Sequence, residues 1–209
     1  MVNCRIDLSR PRDYLARLRN ANCTPVSMFL FKKRDSGRRK TIERLYGAIV
    51  AQVRLPVFYT DLGVPDTIEG RFDLLVLHIY LVNEQLSAGG APGAALGQEV
   101  LDYFFEDMDA SLREIGIGDL TVPKKMRTLA EAYLGRSALY GAAISKGDEA
   151  ALSGAIARNV LAGADPETAK PLARYAFEVA ARLAAQPFER LLAGEIEFPA
   201  PQKATANAG

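Results

Sequence analysis

Hydrophobic residues recur every three or four positions along most of the chain, which is the spacing of amphipathic helices. In residues 41–54, TIERLYGAIVAQVR, Ile42, Leu45, Ile49 and Val53 fall on one helix face. Pro56 prevents simple continuation of this helix, and the following PVFYTDLG predicts a short helical turn. No stretch alternates convincingly between apolar and polar residues with period two. The pattern therefore predicts helices and gives no support for strands.

The most apolar stretch is LLVLHIYLV, residues 74–82, which directly follows PDTIEGRFD, residues 65–73. It leaves almost no polar face and so predicts a central, buried helix. Asp66 is predicted to cap this helix, with Glu69 three residues later as in a capping box. Gly70 costs about 1 kcal/mol relative to alanine inside a helix. We expect there either a close approach by another helix or a bound peptide, or a spacer glycine.

Further helices are predicted after the glycine-rich break SAGGAPGAALG, residues 87–97. The expected boundary signals are a stop at Gly116, caps at Asp148 and Asp165, and a break at Pro187. We find no internal repeat and no second domain. The sequence predicts a single all-α domain of about six or seven helices over residues 41–194.

Charge is divided unevenly along the 209 residues, although the whole chain carries a net charge of only +1. Residues 1–40 hold eleven Lys/Arg and three Asp/Glu, a net charge of +8, whereas residues 41–209 hold fifteen and twenty-two, a net charge of −7. We interpret residues 1–40 as a flexible basic arm and residues 195–209 as a disordered tail. The arm is attracted to RNA or lipid phosphates, and the acidic body is a poor platform for nucleic acid, so no DNA partner is expected.

A short apolar segment precedes a cluster of cations in the arm. Four apolar residues, Met28–Phe31, are followed by six Lys/Arg within nine positions. This combination suits reversible binding to an anionic membrane, the same cations suit ribosomal RNA phosphates, and a solvated tail is the third alternative. Met28 is also an alternative start of the protein. The predicted tethering residues are Phe29, Leu30, Phe31, Lys32, Lys33, Arg34, Arg38, Arg39 and Lys40.

Candidate catalytic groups are few. Glu69 and Asp73 lie four residues apart on one helix face, a spacing available to a catalytic or metal-binding carboxylate pair, but acids in the first helical turns are common for capping and dipole reasons. The single histidine, His78, has apolar helical neighbours and is predicted to be a hydrogen-bonded core residue. Cys4 and Cys23 lack metal-ligand spacing. With no nucleophile elbow or phosphate-binding loop, we predict neither enzymatic activity nor a cofactor or metal.

Two long stretches resemble a known family. Residues 45–82, with PDTIEGRFD, and residues 103–136, with the DMD…LRE…GD pattern and the VPKKM helix start, are similar to the ubiquinol–cytochrome c chaperone family. These proteins are bacterial relatives of a mitochondrial assembly factor for the cytochrome bc complex. The resemblance covers most of residues 41–160. It implies a non-enzymatic helical chaperone that binds newly made cytochrome b or an early intermediate of ubiquinol:cytochrome c reductase.

The resemblance also implies partners and a location. The mitochondrial relative acts with a small partner protein near the ribosomal tunnel exit, so the expected partners are cytochrome b, the ribosome and a small partner protein. The basic arm adds an anionic membrane surface to this set. With no disulfide framework, signal-peptide pattern or apolar run of roughly 20 residues, we expect a cytoplasmic protein, peripheral on the inner face of the cytoplasmic membrane. Polar residues of the matching motifs are the candidate partner-binding positions: Asp66, Glu69, Arg71, Asp73, Asp107, Asp109, Lys124, Lys125 and Arg127.

Two rival functions stay open on the sequence alone. The first is a small helical enzyme that uses Glu69, Asp73 and His78, which requires these side chains to share a site. The second is a generic membrane- or RNA-binding adaptor that acts through the basic arm. Deleting the arm would abolish all binding by such an adaptor, whereas a chaperone body would still recognise its client.

Overall fold

The computed structural model describes residues 36–202, and within that range the chain is helical without strands. The all-α prediction is confirmed. Six helices have eleven residues or more, and two are short turns. In chain order they are α1 (Ser36–Val53), α2 (Val57–Thr60), α3 (Ile68–Ala88), α4 (Ala91–Glu114), α5 (Val122–Ile144), α6 (Glu149–Asn159), α7 (Pro166–Ala184) and α8 (Phe188–Leu192).

Helix α3 is the centre of the fold, as its apolar sequence predicts. Every residue from Leu74 to Val82 is buried. Helices α1, α4, α5 and α7 pack around it, while α6 packs against α5 and α7, and α8 packs against α4. Because α3 has neighbours on several sides, it needs the nearly continuous apolar surface that its sequence supplies.

Most helix boundaries follow the predicted signals. The carboxylates of Asp148 and Asp165 accept hydrogen bonds from the backbone N–H groups of Ala151 and Glu167, at 2.9 and 2.8 Å. Gly116 follows α4 with φ of +85°, a left-handed conformation that glycine adopts without strain. These local signals therefore identified the ends of α4, α6 and α7 correctly.

Helix α4 begins at Ala91, inside the glycine-rich stretch that we expected to be a break. That prediction is wrong beyond Gly90, because two glycines of the stretch serve close packing between helices. A Cβ at Gly93 would lie 2.0 Å from the carbonyl oxygen of Leu86, and a Cβ at Gly97 would lie 2.8 Å from Asn83 Oδ1. The close approach of α4 to α3 thus outweighs the low helix propensity of glycine.

Both ends of the helical domain extend beyond the predicted boundaries. Helix α1 begins at Ser36, so the last five residues of the predicted arm are helical. At the other end, Ile196 and Phe198 pack against the core. The Gln186 side-chain amide also exchanges hydrogen bonds of 2.8 and 2.9 Å with the backbone of Glu197. Apolar burial and paired backbone groups therefore order the start of the predicted tail, and the remainder of the arm and tail lies outside the described residues.

Candidate partner-binding surface

The nine predicted partner-binding residues lie in, or directly before, three helix segments that the fold brings to one end of the bundle. Helix α4 runs antiparallel to α3, with Phe104 stacked on Phe72 at 6.0 Å between ring centroids. Helix α5 returns antiparallel to α4, with Tyr133 facing Phe105 at 6.1 Å. The start of α3, the end of α4 and the start of α5 consequently lie together. We call residues 65–73 and 106–127 the distal end.

Thr67 caps helix α3, and the capping role predicted for Asp66 is wrong. The Thr67 hydroxyl accepts a hydrogen bond from the Gly70 N–H at 3.1 Å. Asp66 stands one residue too early to cap and instead accepts a hydrogen bond of 2.7 Å from Arg71. The Arg71 guanidinium also lies 5.4 Å from the centroid of the Tyr59 ring. Both members of the Asp66–Arg71 pair are more than half exposed, so they present their charges to solvent.

Gly70 is required by the turn that precedes α3. A Cβ at this position would lie only 2.1 Å from the carbonyl oxygen of Pro65. The predicted close approach therefore exists, but the neighbour is the chain's own turn and not another helix or a bound peptide. The missing side chain lets the turn fold back over the first turn of α3, which places Asp66 beside Arg71.

Asp73 lies against α5. Its carboxylate pairs with Arg136 at 2.6 Å, and the two side chains are only 15% and 19% exposed. The Arg136 guanidinium also lies 5.7 Å from the centroid of the Phe72 ring. Burial raises the pKa of Asp73 to about 6, although the neighbouring Arg136 acts in the opposite direction. The pair links α3 to α5, and a partner contact through Asp73 stays a prediction.

Two predicted acids on α4 also have partners within the chain. Asp107 accepts a hydrogen bond of 2.7 Å from the Tyr46 hydroxyl, which joins α4 to α1. Burial and this hydrogen bond raise the pKa of Tyr46. Asp109 pairs with Arg113 at 2.6 Å, and Arg113 also pairs with Asp119 in the following loop. Arg113 therefore holds the loop against the end of α4.

The predicted cations Lys124, Lys125 and Arg127 are exposed on the first turns of α5. Positive charge near the start of a helix is unfavourable, because the helix dipole leaves that end positive. Acidic residues would stabilise the first turn of α5 better. Helix stability therefore does not explain Lys124 and Lys125, which favours a role for the surface that they form.

The distal end also carries exposed apolar side chains that the sequence pattern did not single out. Ile68, Ile115 and Leu120 are 73%, 62% and 97% exposed. Single exposed apolar residues are ordinary on protein surfaces, and each of these stands beside a polar neighbour in the sequence. Their concentration at one end is visible only once the fold is known, so no local signal could have identified them as a group.

The three side chains of the rival enzyme site do not converge. Glu69 is exposed, whereas Asp73 faces Arg136. The fully buried His78 donates from Nδ1 to the Leu74 carbonyl, since a carbonyl can only accept, and its Nε2 accepts from the Tyr175 hydroxyl, both at 2.9 Å. Burial lowers the pKa of His78 to about 4, and the prediction of a core histidine is confirmed. Within residues 36–202, no group of three or more His, Cys, Asp or Glu side chains is placed to hold a metal.

Three of the predicted tethering residues lie in helix α1, and two of them form ion pairs within the chain. Arg38 pairs with Glu99 of α4 at 2.6 Å, and Arg39 pairs with Glu43 at 2.8 Å. Lys40 is exposed. None of the helices in the described part of the chain is long and apolar enough to cross a membrane. The tethering predictions for Phe29, Leu30, Phe31, Lys32, Lys33 and Arg34 fall outside the described residues.

Comparisons with known proteins agree on one family. The sequence model of the family described as "Ubiquinol-cytochrome C chaperone" matches residues 60–198. Ubiquinol-cytochrome-c reductase complex assembly factor 1 of Xenopus laevis is 24% identical over 118 residues, which cover 56% of this chain and 58% of that protein. This chain therefore spans under two thirds of the length of that relative.

A solved structure extends the similarity to the fold. The crystal structure of the Cbp3 homolog from Brucella abortus matches with a TM-score of 0.73 and 37% sequence identity, over 83% of this chain and 97% of that chain. The family match, residues 60–198, includes all nine predicted partner-binding positions and the three exposed apolar residues of the distal end.

Proposed function

The chain belongs to the ubiquinol-cytochrome C chaperone family, and from this premise we propose that it is a non-enzymatic assembly chaperone for newly made cytochrome b, or for an early intermediate of ubiquinol:cytochrome c reductase. Client binding takes place at the distal end. The basic arm holds the protein at the inner face of the cytoplasmic membrane, where such a client is inserted.

The observation that carries this proposal is the composition of the distal end. Nine polar positions from the family motifs meet there with three exposed apolar side chains. Exposed apolar surface at one place is a property of interaction sites. Cations at the start of α5 further weaken the helix that carries them, which is expected where binding rather than stability determines the residues.

The arrangement of α1 supports a separate place for the tether. Helix α1 runs alongside α4, because Arg38 pairs with Glu99 and Tyr46 bonds to Asp107. The arm therefore joins the body near Glu99. Glu114 ends α4 fifteen residues later, about 22 Å away at 1.5 Å per residue. A tether at one end leaves the distal end free to reach a client.

A crosslinked pull-down from cells that make the cytochrome bc complex tests the proposal, with haem spectra and mass spectrometry of the eluate. Enrichment of cytochrome b over the other subunits is the expected result. The double variant Ile68→Ser/Leu120→Ser should lose this enrichment, whereas Leu139→Ser should keep it. Leu139 provides a control because it is an exposed apolar residue on the part of α5 that lies away from the distal end. Equal enrichment with all three proteins would refute client binding at the distal end.

Deletion of residues 1–35 tests the adaptor alternative and leaves helix α1 complete. A chaperone body without its arm should still capture cytochrome b from detergent extracts, although less of the protein should sediment with membranes. Loss of all binding, or recovery of lipid or ribosomes without cytochrome b, would favour the adaptor instead.

A further inference from the structure

We propose that the distal end binds one particular kind of segment, the cytoplasmic boundary of a client's transmembrane helix, where a Lys/Arg-rich loop meets an apolar helix end. The inference rests on the proposed chaperone function. It adds the chemistry of the segment that is recognised.

The distal end, residues 65–73 and 106–127, contains eight acids and five Lys/Arg, a net charge of −3. All eight acids lie in residues 65–73 and 106–119, which hold only two arginines and carry a net charge of −6, whereas the other three cations lie at the start of α5. The eight acids are Asp66, Glu69, Asp73, Glu106, Asp107, Asp109, Glu114 and Asp119.

Internal pairing leaves part of this charge available to a partner. Asp66, Asp73, Asp109 and Asp119 pair with arginines, whereas Glu69, Glu106 and Glu114 are exposed and form no ion pair among the described residues. Glu114 is the last residue of α4, where the helix dipole favours cations instead. The negative charge of Glu114 is therefore unfavourable for the stability of α4 but suitable for attracting a positively charged partner.

Each exposed apolar side chain adjoins an acid in the sequence. Ile68 precedes Glu69, Glu114 precedes Ile115, and Asp119 precedes Leu120. A partner that covers these apolar side chains therefore brings its own groups close to three carboxylates, of which Asp119 is already paired with Arg113. A purely apolar partner would desolvate Glu69 and Glu114 without compensation, whereas a partner with interspersed cations would pair with them.

A partner of the distal end must offer both apolar and cationic groups, and this requirement limits the class of molecule that can bind. Anionic lipid and nucleic acid are repelled by the acidic part of the distal end, residues 65–73 and 106–119, which has a net charge of −6 and carries the exposed Ile68 and Ile115. Membrane proteins, by contrast, concentrate Lys and Arg in the cytoplasmic loops next to their transmembrane helices. Such a boundary supplies both the apolar residues and the cations. Lys124 and Lys125 on the neighbouring α5 repel cations on their own side, which restricts the orientation of the segment.

Peptide binding to the full-length protein tests the inference. The probe is a dye-labelled peptide in which a Lys/Arg cluster precedes an apolar Leu/Ala helix, measured by fluorescence anisotropy. Two matched peptides replace every cation by Glu, or every Leu by Ser. Only the first should bind well, and its affinity should fall with added salt. Glu69→Lys/Glu114→Lys should weaken binding about tenfold or more, since two attractions become repulsions.

The control is Glu178→Lys/Glu189→Lys, which reverses two exposed acids on α7 and α8 and should change the affinity by less than about twofold. Equal binding of the cationic and Glu-substituted peptides would overturn the inference. Unchanged peptide binding by Glu69→Lys/Glu114→Lys would also overturn it, as would binding of phosphatidylserine vesicles through the distal end. A third contrary result is a dimer of the protein that blocks peptide binding and that Glu69→Lys/Glu114→Lys disrupts.

The inference and the chaperone function can fail separately. If Glu69→Lys/Glu114→Lys loses the peptide but still enriches cytochrome b as the wild type does, the segment inference is wrong and the function stands. If the peptide binds as expected but no subunit of the cytochrome bc complex is captured, the surface chemistry stands and the proposed client is wrong.

Discussion

Replacement of Gly70 by alanine tests whether a backbone contact determines how the central helix begins. In an open helix interior the change would stabilise the protein by about 1 kcal/mol. At Gly70 the new Cβ would meet the Pro65 carbonyl oxygen at 2.1 Å and its carbonyl carbon at 3.0 Å. Ordinary contacts are about 1 Å longer than the first of these distances, so the turn must move.

The expected magnitude follows from three contributions. Forcing a methyl group into a filled space costs about 1–3 kcal/mol. Displacing the turn also disturbs the Thr67 cap, whose hydroxyl bonds to the Gly70 N–H, at a cost of about 1 kcal/mol. The helix-propensity gain offsets about 1 kcal/mol of this. Gly70→Ala should therefore lower the free energy of unfolding by about 1–3 kcal/mol.

Urea unfolding followed by far-UV circular dichroism measures this difference. Gly135→Ala is the matched control, because Gly135 lies inside α5, is exposed and has no atom within 4 Å of an added Cβ. It should raise the free energy of unfolding by about 0.5–1 kcal/mol. If both variants are stabilised alike, the turn at Pro65 yields without cost and our account of Gly70 is refuted.

Further predictions concern the ionisable core and the C-terminal segment. Because burial raises the pKa of Asp73 to about 6, its stabilising contribution is present below its ordinary value of 3.8 and is lost as the pH rises through about 6. Asp73→Asn should remove this part of the pH profile of urea midpoints, and an unchanged profile would contradict it. Because burial lowers the pKa of His78 to about 4, its contribution is present above about pH 6.5 and is lost as the pH falls toward 4. NMR should find the neutral Nδ1–H tautomer at neutral pH, and titration near 6.5 would argue against burial. Phe198→Ala should lower the free energy of unfolding by about 1–3 kcal/mol in thermal unfolding, since the ring centroid of Phe198 lies 5.7 Å from that of His78; an unchanged melting temperature would contradict the packing of this segment on the core.

The local part of the distal end was predictable from the sequence. The PDTIEGRFD segment contains the start of the central helix, and the polar residues of the family motifs lie at one end of the bundle. The cap at Thr67 was missed because Asp66 and Thr67 are both good capping residues, and their choice depends on where the turn at Pro65 ends. The path of the turn depends on the space that Gly70, which has no side chain, leaves for the Pro65 carbonyl group.

Local pattern alone determined the helical class, the ends at Gly116 and before Pro187, the caps at Asp148 and Asp165, and the burial of α3 with its histidine. Each of these features depends on residues within about four positions of one another, which is the range over which helix periodicity, capping and glycine conformations act.

Tertiary structure decided which surfaces neighbours cover. Arg136 is the partner of Asp73 although sixty-three residues separate them, and Phe198 reaches His78 from the predicted tail. The same applies to Leu120, whose exposure of 97% reflects that no helix of residues 36–202 packs over the end of the α4–α5 pair. The sequence around an apolar or charged side chain does not indicate which distant residues will contact it, because hydrophobic burial and charge pairing depend on proximity in space and not on separation along the chain.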